Sequence, residues 1–315
     1  MLRFGSFHGR LRSARPEYLE ALTQVFGVGL HPLSEAQEAS RQFDLEIVPA
    51  ANPTGGPDAA PIRDLLTLGG PPHAPTIATD ALRAELRLDR LPMEISITVL
   101  RPDQPFPELC VHFVVMIHKI LFQLDRVVLH AAAVELDGQV SVFVGNKGSG
   151  KSTTCLALAK AGGTVLGEDQ IVLRRSGAGY QVSGGDERSR VTERTERHFF
   201  AEPLAVPAKD FAGTMKKEIR MGDYFRSAPF QDRKPDRLFF PTVTGSFELR
   251  PLKPQQAVRR LLAFTSHFQR FEGGRDQAAY LDLLAGFVAS VSCWELSLSD
   301  DLADLDRLTG RLRSA

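Results

Sequence analysis

What this chain has little of excludes most of the broad alternatives. Cysteine is scarce: Cys110, Cys155 and Cys293 lie far apart and form no C-x-x-C pair. There is therefore no disulfide framework and no cysteine zinc motif, a usage that suits a reducing, cytoplasmic setting. Net charge is missing as well, since 38 basic residues balance 38 acidic ones. That balance argues against nucleic acid or an anionic membrane as the main partner, while leaving room for a local patch. The opening MLRFGSFHGRLRSARPEYLEAL contains no apolar stretch of the secretory kind. The most apolar run, Leu109 to Phe122, is too short for a membrane span and contains His112, His118 and Lys119. It is expected to be a buried or half-buried helix. No internal repeat is visible.

What is present is a globular composition. With 315 residues, 43% hydrophobic and 24% charged, the chain can bury a sizeable core in one large domain or two ordinary ones. Pro16 to Phe26 reads as a short amphipathic helix. FDLEIV (43–48), LRAELRL and MEISITVL alternate with period two, as strands with one wet face do. NPTGGPDAAP (52–61) is a loop by its glycine and proline content. Residues 1–108 are expected to form an α+β unit of their own, with a role in acceptor recognition, and 109–315 the main domain.

In the main domain, VVLHAAAVELDGQVSVFVG reads as strand, Asp137-Gly138 turn and strand, because Asp-Gly between apolar runs is a strong hairpin signal. A helix over 151–161 follows, then one strand through GGTVLGEDQIVLRR and a further strand after SGAGY. The span 186–236 is rich in charge and yields no assignment. RLFFPTV, SFELRPL and CWELSLS are expected strands; KPQQAVRRLLAFT, QAAYLDLLAGFVASV and LADLDRLTGRL are expected helices.

Gly145, Asn146, Lys147, Gly148, Ser149, Gly150, Lys151 and Ser152 satisfy G-x-x-x-x-G-K-[ST]. The glycines let successive backbone N–H groups turn inward toward a phosphate, and the following helix aims its positive end at the same oxygens. Lys151 is placed to bridge β- and γ-phosphates, and the Ser152 hydroxyl to ligate Mg²⁺. Thr153 completes the expected ATP-binding stretch. About sixteen residues on, Glu168-Asp169 falls where a strand–helix–strand unit returns to the same sheet edge. A carboxylate there could polarise an acceptor hydroxyl; the alternative is a solvated turn. His130, ahead of the hairpin, is uninformative alone.

Together, LHAAAVELDGQVSVFVGNKGSGKST and VLGEDQIVL resemble the HPr kinase/phosphorylase family, whose P-loop fold is shared with phosphoenolpyruvate carboxykinase. The resemblance covers roughly 127–173, and more weakly the stretch from RLFFPTV to CWELSLSDDLADL. It implies an α/β fold with an HPr-kinase-like core and an appended N-terminal α+β unit. It also implies that Lys151 holds phosphate, Ser152 and Glu168 hold Mg²⁺, Asp169 is the general base and His130 tunes it. Glu168 stands where the family has Asp. KKEIR (216–220) supplies cations to the γ-phosphate or the acceptor, or else forms a solvated face. The implied activity is ATP-dependent transfer to a hydroxyl, a serine of a protein or precursor peptide. A small-molecule acceptor, and an ATPase or regulator without an acceptor, are the alternatives. Neither nucleic acid nor membrane is an expected partner, and a homo-oligomer remains open.

Overall fold

The computed structural model describes residues 2–4, 6–26, 39–51, 67–103, 105–185, 188–210, 213–265 and 274–313. The loop expected at 52–61 lies outside them. Two compact units result: Met1–Val127 with Ser266–Leu281, and Val128–Thr265 with Asp282–Ala315. The division falls after Val127, whereas the sequence suggested 108, because the helix that follows residue 105 packs on the N-terminal elements.

The first unit is built on a seven-stranded mixed sheet. Its strands are β1 (Leu2–Phe4), β2 (Phe7–Ser13), β3 (Phe43–Pro49), β4 (Thr67–Gly69), β5 (Thr76–Ala78), β6 (Leu82–Arg87) and β7 (Met93–Val99), in the order β1-β2-β3-β7-β6-β5-β4. Alternation decides which face is buried. In β6, Leu82, Ala84 and Leu86 are buried while Arg83, Glu85 and Arg87 are exposed. Helices α1 (Pro16–Phe26) and α2 (Phe106–Gln123) pack on each other, with Tyr18 and Phe113 ring centroids 6.1 Å apart. Burial of each such large apolar side chain contributes about 1.5–3 kcal/mol.

Helix α2 is longer than the apolar run predicted it to be. At 18 residues it is long and apolar enough to cross a membrane by length and composition, with 56% of it buried within the protein. Its polar residues are accommodated in the core. Burial pushes the His118 imidazole down to about 4, and the ring sits edge-on to Phe26 at 6.0 Å. The Lys119 ammonium lies 5.5 Å from the Phe122 ring centroid.

The second unit centres on a six-stranded sheet, β11-β9-β10-β17-β19-β18. Here β9 is Ala131–Leu136, β10 Gln139–Val144, β11 Thr164–Gly167, β17 Arg237–Val243, β18 Glu248–Pro251 and β19 Ser292–Leu298. β10, β17 and β19 run parallel, with β9 antiparallel to both β10 and β11. Phe143 stacks on Phe239 at 5.2 Å, and α3 (Lys151–Lys160) packs against β9 and the closing helix α7 (Leu305–Arg313). Helices α5 (Pro254–Thr265) and α6 (Gly274–Ala289) stand where the sequence predicted helices.

Two expected strands are each broken in two. VVLHAAAVEL divides at His130 into β8 (Arg126–Leu129) and β9, which join different sheets. GGTVLGEDQIVLRR divides at Glu168-Asp169 into β11 and β12 (Ile171–Ser176); β12 pairs with β13 (Gly179–Gly184) and β8. Close backbone approach accompanies the second break. A Cβ on Gly184 would meet the Leu166 carbonyl oxygen at 1.9 Å, so only glycine lets these chains touch. The charge-rich span 186–236 includes a small sheet, β14-β16-β15 (Arg188–Val191, Met215–Arg220, Ala208–Asp210), and the helix α4 (Glu193–Phe199).

Candidate functional site

Register alone brings the candidate residues to one edge. Val144, the last residue of β10, pairs with Ala131, so His130 lies beside the start of the glycine-rich loop. Gly167 at the end of β11 pairs with Ala133, which delivers Glu168 and Asp169 to the same side. The ends of the parallel strands β17 and β19, Val243 and Leu298, also arrive there. Ligand crevices in such sheets form outside these carboxyl ends.

The edge holds a cavity of about 540 Å³. One wall comes from the loop and the first turn of α3, through Lys147, Gly148, Gly150, Lys151, Ser152 and Thr153. Asp169, Arg190, Arg194, Lys216 and His130 also line the cavity. Gly145, Asn146, Ser149 and Glu168 do not line it. Gly145 and Asn146 instead accept hydrogen bonds from the Lys151 ammonium through their carbonyls, at 2.7 and 3.0 Å. A Cβ on Gly145 would come within 2.6 Å of the Ser149 hydroxyl, which is itself buried without a partner.

Gly150 caps α3 with φ of 97°, a left-handed conformation that glycine adopts freely. Behind it, Lys151 is buried, and desolvation lowers its pKa to about 8 despite the opposing pull of Asp169 and Glu168. Lys151 is thus a largely buried charge whose hydrogen bonds go to two carbonyls, and a phosphate group could replace them with a stronger partner.

Asp169 has φ of 61°, uncommon outside glycine and enriched in aspartate. Holding it there costs roughly 1–3 kcal/mol, and such strain clusters at functional positions. Its Oδ2 accepts from the Arg190 guanidinium at 3.3 Å. Its Oδ1 is 4.0 Å from His130 Nδ1, outside hydrogen-bond range, and its side chain is 42% exposed. His130 Nδ1 lies 3.2 Å from the Asp169 carbonyl. A carbonyl can only accept, so Nδ1 carries the proton in that contact and donates it. Burial, then the nearby Lys151 cation, push the imidazole below its ordinary pKa.

Glu168 faces a different environment. It is 3% exposed, and neither carboxylate oxygen has a hydrogen-bond partner. Burial raises its pKa to about 7, while the neighbouring Ser152 and Ser189 hydroxyls pull it back only in part. Buried carboxylates are normally paired or on a metal. A Mg²⁺ ion at a nucleotide takes one or two protein oxygens and fills its sphere with phosphate and water. Glu168 with the Ser152 hydroxyl fits that donor set. Among the described residues no cluster of three His, Cys, Asp or Glu could hold a metal unaided.

KKEIR divides its cations. Lys216 lines the cavity, whereas Lys217 donates to Glu196 at 2.8 Å and to the Leu204 carbonyl. Arg190 and Arg194 escaped the sequence reading altogether. Arg190 sits on a four-residue strand too short for periodicity to reveal, and Arg194 reaches the site by donating to the Asp300 carbonyl, 106 residues away.

No protein-family model matches the sequence, and no curated protein matches it. Among solved structures, this chain is similar to the Hpr(Ser) kinase/phosphatase from Coxiella burnetii, at 14% identity and a TM-score of 0.30. That match covers 59% of this chain and 97% of the other.

Proposed function

We propose that this chain is an ATP-dependent phosphotransferase with an HPr-kinase-like P-loop core, and that it moves the γ-phosphate of ATP to a hydroxyl, a serine of a protein or precursor peptide. The observation that carries this reading is the pairing of two unlike carboxylates with one loop. Glu168 is buried beside Ser152, suited to a metal, while Asp169 lines the cavity together with Lys151.

In this mechanism Lys151 leaves the Gly145 and Asn146 carbonyls for the β- and γ-phosphate oxygens, aided by loop N–H groups. Ser152 and Glu168 would hold Mg²⁺, which would supply charge neutralisation for the transferred phosphate. The acceptor hydroxyl lies near Asp169 Oδ1, the oxygen not engaged by Arg190. Its pKa is far above 7, so the carboxylate takes the proton as the oxygen–phosphorus bond forms and ADP departs. Arg190 and His130 fix the carboxylate and backbone of Asp169, and so act as positioning residues. A small-molecule hydroxyl is the alternative acceptor. An ATPase lacking an acceptor is less well supported, because the cationic wall of Arg190, Arg194 and Lys216 exceeds what orienting a water requires.

Asp169→Asn keeps the shape and removes the proton acceptor. It should retain ATP binding while single-turnover transfer to serine-containing peptide pools falls by about 10²–10⁴-fold. Near-normal transfer by this variant would reduce the acidic pair to a structural turn.

A further inference from the structure

The small sheet β14-β16-β15 carries basic residues that the transfer chemistry does not use. Directly opposed residues on antiparallel strands point to the same side, and alternate residues along a strand share a face. The registers Arg188↔Arg220, Arg190↔Glu218 and Lys209↔Lys216 therefore gather five cations and one carboxylate on one face. Glu218 pairs with Arg190 at 3.3 Å and Arg188 at 3.6 Å. The other face is ordinary: Val191 and Ile219 are buried, and Lys217 is neutralised by Glu196.

Two of those three registers set like charges directly opposite, which weakens a sheet. Nucleotide binding does not account for the arrangement. Arg190 and Lys216 line the cavity, but Lys209, Arg188 and Arg220 do not. The strip leads into the site through Arg190, which holds Asp169 at 3.3 Å. From Lys216 to Arg220 it is roughly 13 Å long, the span of about four extended residues. A nucleic acid would want a broad basic surface and an excess of positive charge, and this chain has net charge +0.

The geometry points to an acceptor-binding face: an acidic polypeptide segment, with carboxylates flanking its serine or threonine, lies across β14, β16 and β15 and presents the hydroxyl to Asp169. This deepens the kinase reading and rests on it for the transfer step, but the binding can be measured separately. Fluorescent serine peptides flanked by Glu, Gln or Lys, and a fluorescent single-stranded oligonucleotide, would be titrated with the full chain by anisotropy, with a non-hydrolysable ATP analogue and Mg²⁺. The Glu-flanked peptide should bind about tenfold or more tighter than the Gln-flanked one, and weaken with salt. Lys209→Glu and Arg220→Glu should each erase most of that preference while leaving affinity for the ATP analogue unchanged.

Lys209→Glu also sets opposite charges against each other at Lys216, so its thermal midpoint should not fall, and lost binding cannot then be lost folding. Equal binding of the Glu- and Gln-flanked peptides, tighter binding of the oligonucleotide, or unchanged preference in both variants would overturn the assignment. Transfer of labelled phosphate is read in parallel. Salt-sensitive binding without transfer counts against the kinase and for the acidic face; transfer without acidic preference does the reverse.

Discussion

Glu168→Gln tests the buried carboxylate directly. Burial raises the Glu168 pKa from 4.5 to about 7, so the folded state prefers it protonated. By linkage, the group costs almost nothing below pH 4.5, its cost grows as pH rises from 4.5 to 7, and the full cost applies above 7. At roughly 1.4 kcal/mol per pH unit, the full cost is about 3 kcal/mol. Glutamine keeps the shape without the ionisation. Burying its amide has its own cost of about 1–3 kcal/mol, but that cost does not change with pH. The stability difference between variant and wild type should therefore move by about 2–3 kcal/mol in favour of the variant between pH 5 and pH 8. Urea unfolding in EDTA at both values measures it, and curves that stay parallel at the two pH values would refute the argument. Adding Mg²⁺ and ATP should stabilise the wild type far more than the variant, because only the wild type gains a partner for its carboxylate.

Three further outcomes are expected. Lys151→Ala should remove the main cation of the loop, abolish turnover and sharply weaken nucleotide binding by calorimetry; wild-type affinity would sink the loop assignment. Gly150→Ala should cost about 1–2 kcal/mol of stability, since alanine at φ of 97° is strained, and its Cβ would also meet the tip of Leu298 at 2.4 Å; an unchanged urea midpoint would show that the helix start can relax. His130→Ala should slow transfer and alter the acid limb of its pH profile without changing ATP affinity. The lowered His130 pKa means the imidazole is neutral at and above neutral pH and gains charge only as pH falls through and below its ordinary range. An identical profile would remove His130 from the positioning of Asp169.

By itself, the sequence determined whatever depends on neighbours along the chain. Strict alternation in Leu82–Arg87 sets the buried face of β6, the Asp137-Gly138 turn sets the β9–β10 hairpin, and the glycine spacing before Lys151 sets the loop and the start of α3. These are short-range consequences of side-chain period and backbone freedom, and they needed no partner to be legible. Tertiary structure alone decided where strands break and what meets across the cavity. VVLHAAAVEL is apolar enough to continue through His130, and only the exchange of one sheet for another ends it there. The different roles open to Glu168 and Asp169, adjacent and chemically alike, come from burial that no local pattern encodes. Arg190, Arg194 and Lys216 came to the site through pairings between distant segments, which depend on which surfaces bury together rather than on spacing in sequence.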